Sequence, residues 1–179
     1  GALKPLSTVT LASLAEKGMT TSSKMLVRIF KDEAELEVWK DTANGYALYK
    51  TFQICTWSGR LGPKLKEGDR QAPEGFYEIK PGQMNPRSQY YLSFNLGFPN
   101  AYDRSYGRTG SFLMVHGACA SAGCYAMTNA QIEEIYGVAR DAFNAGQKTF
   151  NVQAFPFRMT DEKMARYRGH KWFAFWQNL

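Results

Sequence analysis

From residue 25 onward hydrophobic and polar positions alternate with a period of two. The alternation runs through MLVRIF at 25–30, then Leu36 and Val38 set between Glu35 and Glu37, then residues 46–54, with Asn44-Gly45 between the second and third runs. Successive strand residues point to opposite faces and Asn-Gly suits a tight hairpin, so the pattern predicts a three-stranded antiparallel meander. Upstream, Leu11 and Leu14 fall at helical spacing and Gly18 follows as a stop, which predicts a short helix over 11–17 within an N-terminal appendage of residues 1–24. Residues 58–75, SGRLGPKLKEGDRQAPEG, hold two prolines and four basic residues and predict a long loop before a strand at 76–79. Loops of that length are often functional.

Further on, PGQMNPRSQ at 81–89 is irregular and leads to a predicted strand over 90–96 and a loop over 97–110. The next strand, predicted over 111–115, contains the apolar run FLMV at 112–115, reads as buried and central, and delivers His116 and Gly117 at its end. Thr128 followed by Gln131 forms a capping box. Ile132, Ile135, Ala139, Ala142 and Phe143 then give a core-facing helical stripe ending near Gly146. Residues 147–155 return to strand, and an amphipathic segment from Thr160 to Trp176 is interrupted near Gly169. The fold class is therefore mainly β: a mixed or antiparallel sheet system with two larger helices packed outside it and the short N-terminal helix.

Length and composition narrow the classes. A chain of 179 residues with 44% hydrophobic content suits one ordinary core, and no apolar run is long enough to span a membrane. Twelve Phe, ten Tyr and four Trp suit a sheet-rich core and a groove for an extended ligand. The net charge of +6 favours polyanionic partners, but the basic residues are scattered and no nucleic-acid motif is present, so nucleic acid is not expected. Three cysteines and two distant histidines lack zinc spacing, so neither a metal nor a cofactor is expected. The chain begins at Gly1 with nothing like a signal peptide, which predicts that a leader was removed or the chain trimmed.

The most informative stretch is HGACASAGCYAM at 116–127. His116 and Cys124 meet only if the chain between them doubles back, and every residue between is small: Gly117, Ala118, Cys119, Ala120, Ser121, Ala122 and Gly123. Such residues let the backbone fold tightly and aim N–H groups into a site. His116 would take the thiol proton, while N–H groups of Gly123 and Cys124 would hold the oxyanion of an acyl intermediate. The bland reading of the same residues is a buried thiol and a structural histidine.

This stretch resembles the signature of the YkuD-type L,D-transpeptidase family, in which an HG pair at a strand end is followed by an S-x-G-C segment, here residues 121–124. The resemblance extends to APEGFYEI at 72–79. The combination of ICTWSGRLGPK at 54–64, GFPNAYDR at 97–104, residues 115–129 and FPFRMT at 155–160 is similar to the family's YafK-like branch. It implies a catalytic domain over 25–179, with Cys124 as nucleophile, His116 as base and Gly117 orienting His116 through its carbonyl. Two departures from the wider family stand out: Ala122 occupies the position of a second histidine, and the stretch after the HG pair is short. His116 is then the side-chain base available, with His170 expected on a helix surface.

The resemblance also implies acyl transfer at the meso-diaminopimelate centre of peptidoglycan stem peptides, in the periplasm of a Gram-negative bacterium. In the YafK-like branch the activity is hydrolysis of the amide linking outer-membrane lipoprotein to peptidoglycan; sibling enzymes form that bond or crosslink stems. A non-catalytic wall-binding module is the remaining alternative. Lys64, Lys66, Arg70 and Arg104 near Asp103 are candidates for binding stem-peptide carboxylates, Ser121 for substrate contact, and Tyr102, Tyr106 and Tyr125 for walls of the groove. A Cys119–Cys124 bridge would consume the nucleophile and a Cys55–Cys119 bridge would spare it, with buried thiols as the default expectation.

Overall fold

The computed structural model describes residues 1–120 and 124–179. The predicted meander is present as β1 (Met25–Phe30), β2 (Glu35–Thr42) and β3 (Gly45–Gln53), paired antiparallel, with a bulge in β2 between Val38 and Trp39. The last strand in the chain, β10 (Phe150–Phe155), lies parallel to β1 and antiparallel to β5 (Gly75–Ile79), giving a five-stranded sheet ordered β3-β2-β1-β10-β5. Val38, Val27, Val152 and Tyr77 stand in one row across four of these strands, all buried, which is what the period-two pattern demands.

A second sheet is built from much shorter strands. These are β4 (Thr56–Trp57), β6 (Met84–Asn85), β7 (Ser93–Asn95), β8 (Met114–His116) and β9 (Tyr125–Ala126), ordered β4-β9-β8-β7-β6. All its pairings are antiparallel except β8 with β9, which run parallel. The strands predicted over 90–96 and 111–115 are trimmed to three residues each. Tyr91 (φ 72°) and Phe112 (φ 55°) sit in the left-handed region, and that bends the chain out of the ladder.

Helix α1 (Thr8–Glu16) starts at a Ser7 cap; Leu14 and the following Met19 enter the same core as the sheets. Helix α2 (Ala101–Ser105) is a short turn after the loop at 97–100. The largest helix, α3 (Asn129–Asn144), opens on the predicted Thr128/Gln131 capping box and buries Ile132, Ile135, Val138, Ala139 and Ala142. Among the described residues no second helix of that size is formed. The terminal amphipathic segment divides into α4 (Asp161–Arg166) and α5 (Phe173–Asn178), because the stretch around Gly169 turns so that Trp176 can be buried.

The long loop at 58–74 is pinned rather than open. Lys31, fully buried at the end of β1, donates to the carbonyls of Arg60 (2.8 Å), Gly62 (3.1 Å) and Ala72 (2.9 Å) and pairs with Glu74 at 2.9 Å. Trp176 Nε1 donates to the other Glu74 oxygen at 2.8 Å, which ties α5 to the same knot. No helix is long and apolar enough to cross a membrane among the described residues.

Candidate active site

Strand β8 ends at His116, and β9 begins immediately after Cys124. Their parallel register sets Val115 against Tyr125 and His116 against Ala126, so Cys124, two residues before Ala126, faces the same side as His116 and Met114. His116 and Cys124 both line one cavity of about 740 Å³, with Tyr90, Phe112 and Met114 among its other walls. Cys124 Sγ lies 3.4 Å from the Met114 N–H, which donates to it, and 3.4 Å from the Phe112 carbonyl, which accepts from it.

The described start of the connection, residues 117–120, turns sharply, as its small residues suggest. Ala118 (φ 65°) and Cys119 (φ 50°) are both left-handed. The Ala118 N–H donates to Asn129 Oδ1 at 2.8 Å and the Cys119 N–H to the Met127 carbonyl at 3.0 Å. Cys119 is disulfide-bonded to Cys55, which itself donates its N–H to the Ala126 carbonyl at 2.9 Å. This corrects the default of three buried thiols: the turn brings Cys119 beside β4, with Cα atoms 5.5 Å apart, and leaves Cys124 outside the disulfide.

His116 is buried with its Nδ1 2.6 Å from the Gly117 carbonyl. A carbonyl can only accept, so Nδ1 carries the proton and Nε2 presents its lone pair. The Tyr90 ring lies against the imidazole at a centroid distance of 4.5 Å. Burial lowers the His116 pKa below its ordinary 6.5, partly opposed by the Gly117 hydrogen bond. Burial raises the Cys124 thiol above its ordinary 9.0, opposed by the Met114 N–H and the charge of Lys64. At neutral pH the resting pair is therefore a thiol and a neutral imidazole rather than a thiolate–imidazolium ion pair.

The structure relocates several of the sequence candidates. Tyr125 is fully buried and its hydroxyl donates to the Pro73 carbonyl at 2.6 Å; it faces the core because Cys124 next to it faces the cavity, so it is no groove wall. Asp103 is buried in α2, where it accepts from Tyr77 (2.9 Å), Arg108 (2.8 Å) and the Asn100 N–H (3.1 Å), which leaves its carboxylate occupied. Lys64 is buried too, paired with Asp69 and bonded to the Lys66 carbonyl. Lys66 and Arg70 lie exposed on the same loop, neither on the catalytic cavity. Arg104 is exposed and donates to the Pro99 carbonyl at 2.6 Å. Tyr102 and Tyr106 pack with their rings tilted at 40° beside Arg108, and neither lines the catalytic cavity.

His170 sits in the turn between α4 and α5 with its ring against Trp176, not on a helix surface. Ser121, Ala122 and Gly123 lie outside the described residues, and with them the Gly123 part of the predicted oxyanion hole. Two residues that pattern reading missed are Tyr90, through its ring on His116, and Asn129, through its bond to the turn. Among the described residues no cluster of His, Cys, Asp or Glu could hold a metal ion.

A buried thiol and a neutral, tautomer-fixed imidazole opening on one cavity form the minimal equipment for nucleophilic acyl transfer. Residues 22–171 match the family model of the L,D-transpeptidase catalytic domain, YkuD, and the chain belongs to that family, whose enzymes act on peptidoglycan. Over all 179 residues it is 42% identical to YafK of Escherichia coli K12, a protein named as an L,D-transpeptidase, and covers 73% of it. The fold is also that of the helical cell shape determining protein Pgp2 from Campylobacter jejuni (TM-score 0.59, 24% identity, 87% of this chain and 59% of that one). Bd1075 of Bdellovibrio bacteriovorus is similar in fold as well (TM-score 0.51, 18% identity, 82% of this chain and 53% of that one). The chain thus spans little more than half of those two solved chains.

Proposed function

We propose that this protein hydrolyses the amide joining an outer-membrane lipoprotein to the meso-diaminopimelate centre of peptidoglycan, in the periplasm of a Gram-negative bacterium. The observation that carries the reading is the shared cavity of Cys124 and His116, with His116 Nδ1 held 2.6 Å from the Gly117 carbonyl. Cys124 attacks the amide carbonyl while its proton passes to His116 Nε2. The tetrahedral intermediate collapses, the C–N bond breaks, and His116 returns the proton to the departing amine. Water then attacks the thioester with His116 as base, and the Cys124 sulfur leaves as the acid product forms. Backbone donors near Cys124, with Gly123 as the candidate partner, would stabilise the oxyanion.

The motifs shared with the YafK-like branch and the short segment between His116 and Cys124 support hydrolysis, since so little chain leaves little from which to build a lid that would keep water from the acyl-enzyme. Transpeptidation is the second reading: the cavity continues into a further cleft with room for an amine-bearing stem, and a well-placed amine can outcompete water. Incubation with lipoprotein-linked muropeptides and mass analysis of the products tests this. Release of the lipoprotein peptide and a free stem is expected. Diaminopimelate-diaminopimelate dimers as the main product, with linked lipoprotein intact, would overturn it in favour of the transpeptidase.

A further inference from the structure

On the sheet face that carries His116 and Cys124, the register places Asn85, Ser93 and His116 in one row across β6, β7 and β8. Directly opposed residues share a face with Cβ atoms about 4.5–5.5 Å apart, so Ser93 flanks His116 on the side away from β9 and the thiol. Ser93 is fully buried, and its hydroxyl has no hydrogen-bond partner among the described residues. Native proteins rarely leave such a group unmatched, and an incoming ligand is one way the match is completed.

Ser93 lines a cleft of about 910 Å³ that shares Asn85, Ser111, Phe112 and Met114 with the catalytic cavity. Phe112 lines both and is 74% exposed, so it is available to a bound chain. The same cleft is bordered by two cations, Lys80 and Arg104, against one carboxylate, Glu78. Arg104 spends one nitrogen on the Pro99 carbonyl, and the rest of its planar fork suits a carboxylate.

We propose that this second cleft binds the peptide on the leaving-amine side of the scissile amide, with Ser93 hydrogen-bonding its backbone and Arg104 and Lys80 receiving a carboxylate that it carries. The inference rests on the acyl-transfer reading above. In that chemistry His116 must protonate the departing nitrogen, so the nitrogen lies beside His116. The acyl carbon is bound to Cys124, just before β9 on the other side of β8, and the chain beyond the nitrogen therefore continues across β7, over Ser93, into the cleft. An acceptor amine would enter by the same route, because the acyl-enzyme exchanges both partners at one place.

The test uses Cys124→Ala protein, which binds without turnover, and calorimetric titration with lipoprotein-linked muropeptide and with the unlinked stem muropeptide. Adding Ser93→Ala or Arg104→Gln should each weaken binding of the linked form by roughly three- to tenfold, the worth of one ordinary hydrogen bond or charged contact, and leave the unlinked form unchanged. Because Ser93→Ala removes an unmatched hydroxyl, its melting temperature should hold or rise. A clear fall in melting temperature would assign the hydroxyl to structure and overturn its role. Binding of both muropeptides with no change in either variant would overturn the cleft assignment alone. No binding of either would overturn the functional reading beneath it.

Discussion

Gly117→Ala isolates the piece of geometry on which the site depends. Gly117 is not in the left-handed region, so its lack of a side chain is demanded by space rather than by backbone freedom. A Cβ there would stand 2.8 Å from the Tyr90 carbonyl, 2.9 Å from Asn129 Oδ1 and 2.9 Å from Ile132 Cγ2. All three are closer than real Cβ contacts, and they belong respectively to a backbone, a side chain bonded to the turn, and a core residue of α3. None is the loose end of a flexible side chain, so the strand end itself must move. Overpacking of this kind costs about 1–3 kcal/mol, which for a chain of this size is a fall of roughly 2–12 °C in melting temperature. The move also displaces the carbonyl that holds His116 Nδ1, and a misplacement of about 1 Å can cost about 10²-fold in rate. Melting by circular dichroism and kcat/KM on linked muropeptide, measured below the variant's melting range, separate the two effects. Wild-type activity in a folded Gly117→Ala protein would refute the claim that this carbonyl sets the imidazole.

Other outcomes follow from the same geometry. Cys124→Ala should abolish turnover and keep the fold, with mass spectrometry placing a thiol-directed label on Cys124 in the parent protein. His116→Ala should lose about 10²–10⁴-fold and His170→Ala little, and equal losses would show that the wrong histidine has been assigned. The active form of His116 is the neutral one and burial lowers its pKa, so the acid limb of kcat/KM should lie below pH 6.5; the raised thiol predicts that iodoacetamide labelling climbs above pH 9 instead of saturating in the acid range. Paired Cys55→Ala and Cys119→Ala changes remove a crosslink spanning 64 positions, for which chain entropy predicts a loss of about 4 kcal/mol, read by urea unfolding of the oxidised parent and the variant. Glu74→Gln leaves Lys31 buried without its counter-charge and should cost about 3–5 kcal/mol by the same measurement.

The meander, the Thr128 capping box and the delivery of His116 by a strand are local events, written in residue spacing, and the sequence discloses them. The burial of Tyr125 is also local: beside a cavity-facing Cys124, strand parity sends it to the core. Asp103 likewise sits three residues after Asn100, the spacing of a helix cap, and its burial follows from that role and from Arg108. By contrast, Tyr90 on His116, Asn129 on the turn and Cys55 on Cys119 join segments far apart in the chain, and spacing carries no information about such meetings. The interruption at Gly169 was visible, but that it yields two short helices around Trp176 depends on the Glu74 knot beneath them.

The two sheets are unequal in a way that bears on how the protein fails. Strands of the first sheet run from five to nine residues, whereas those bearing Asn85, Ser93, His116 and the approach to Cys124 are only two or three residues long. Few ladder bonds hold the second sheet, so its amides should exchange with solvent through partial openings that leave the first sheet intact. Under mild heat or low denaturant, catalysis would then disappear while most of the circular dichroism persists, and inactivation would report the loosening of one sheet instead of the melting of the molecule.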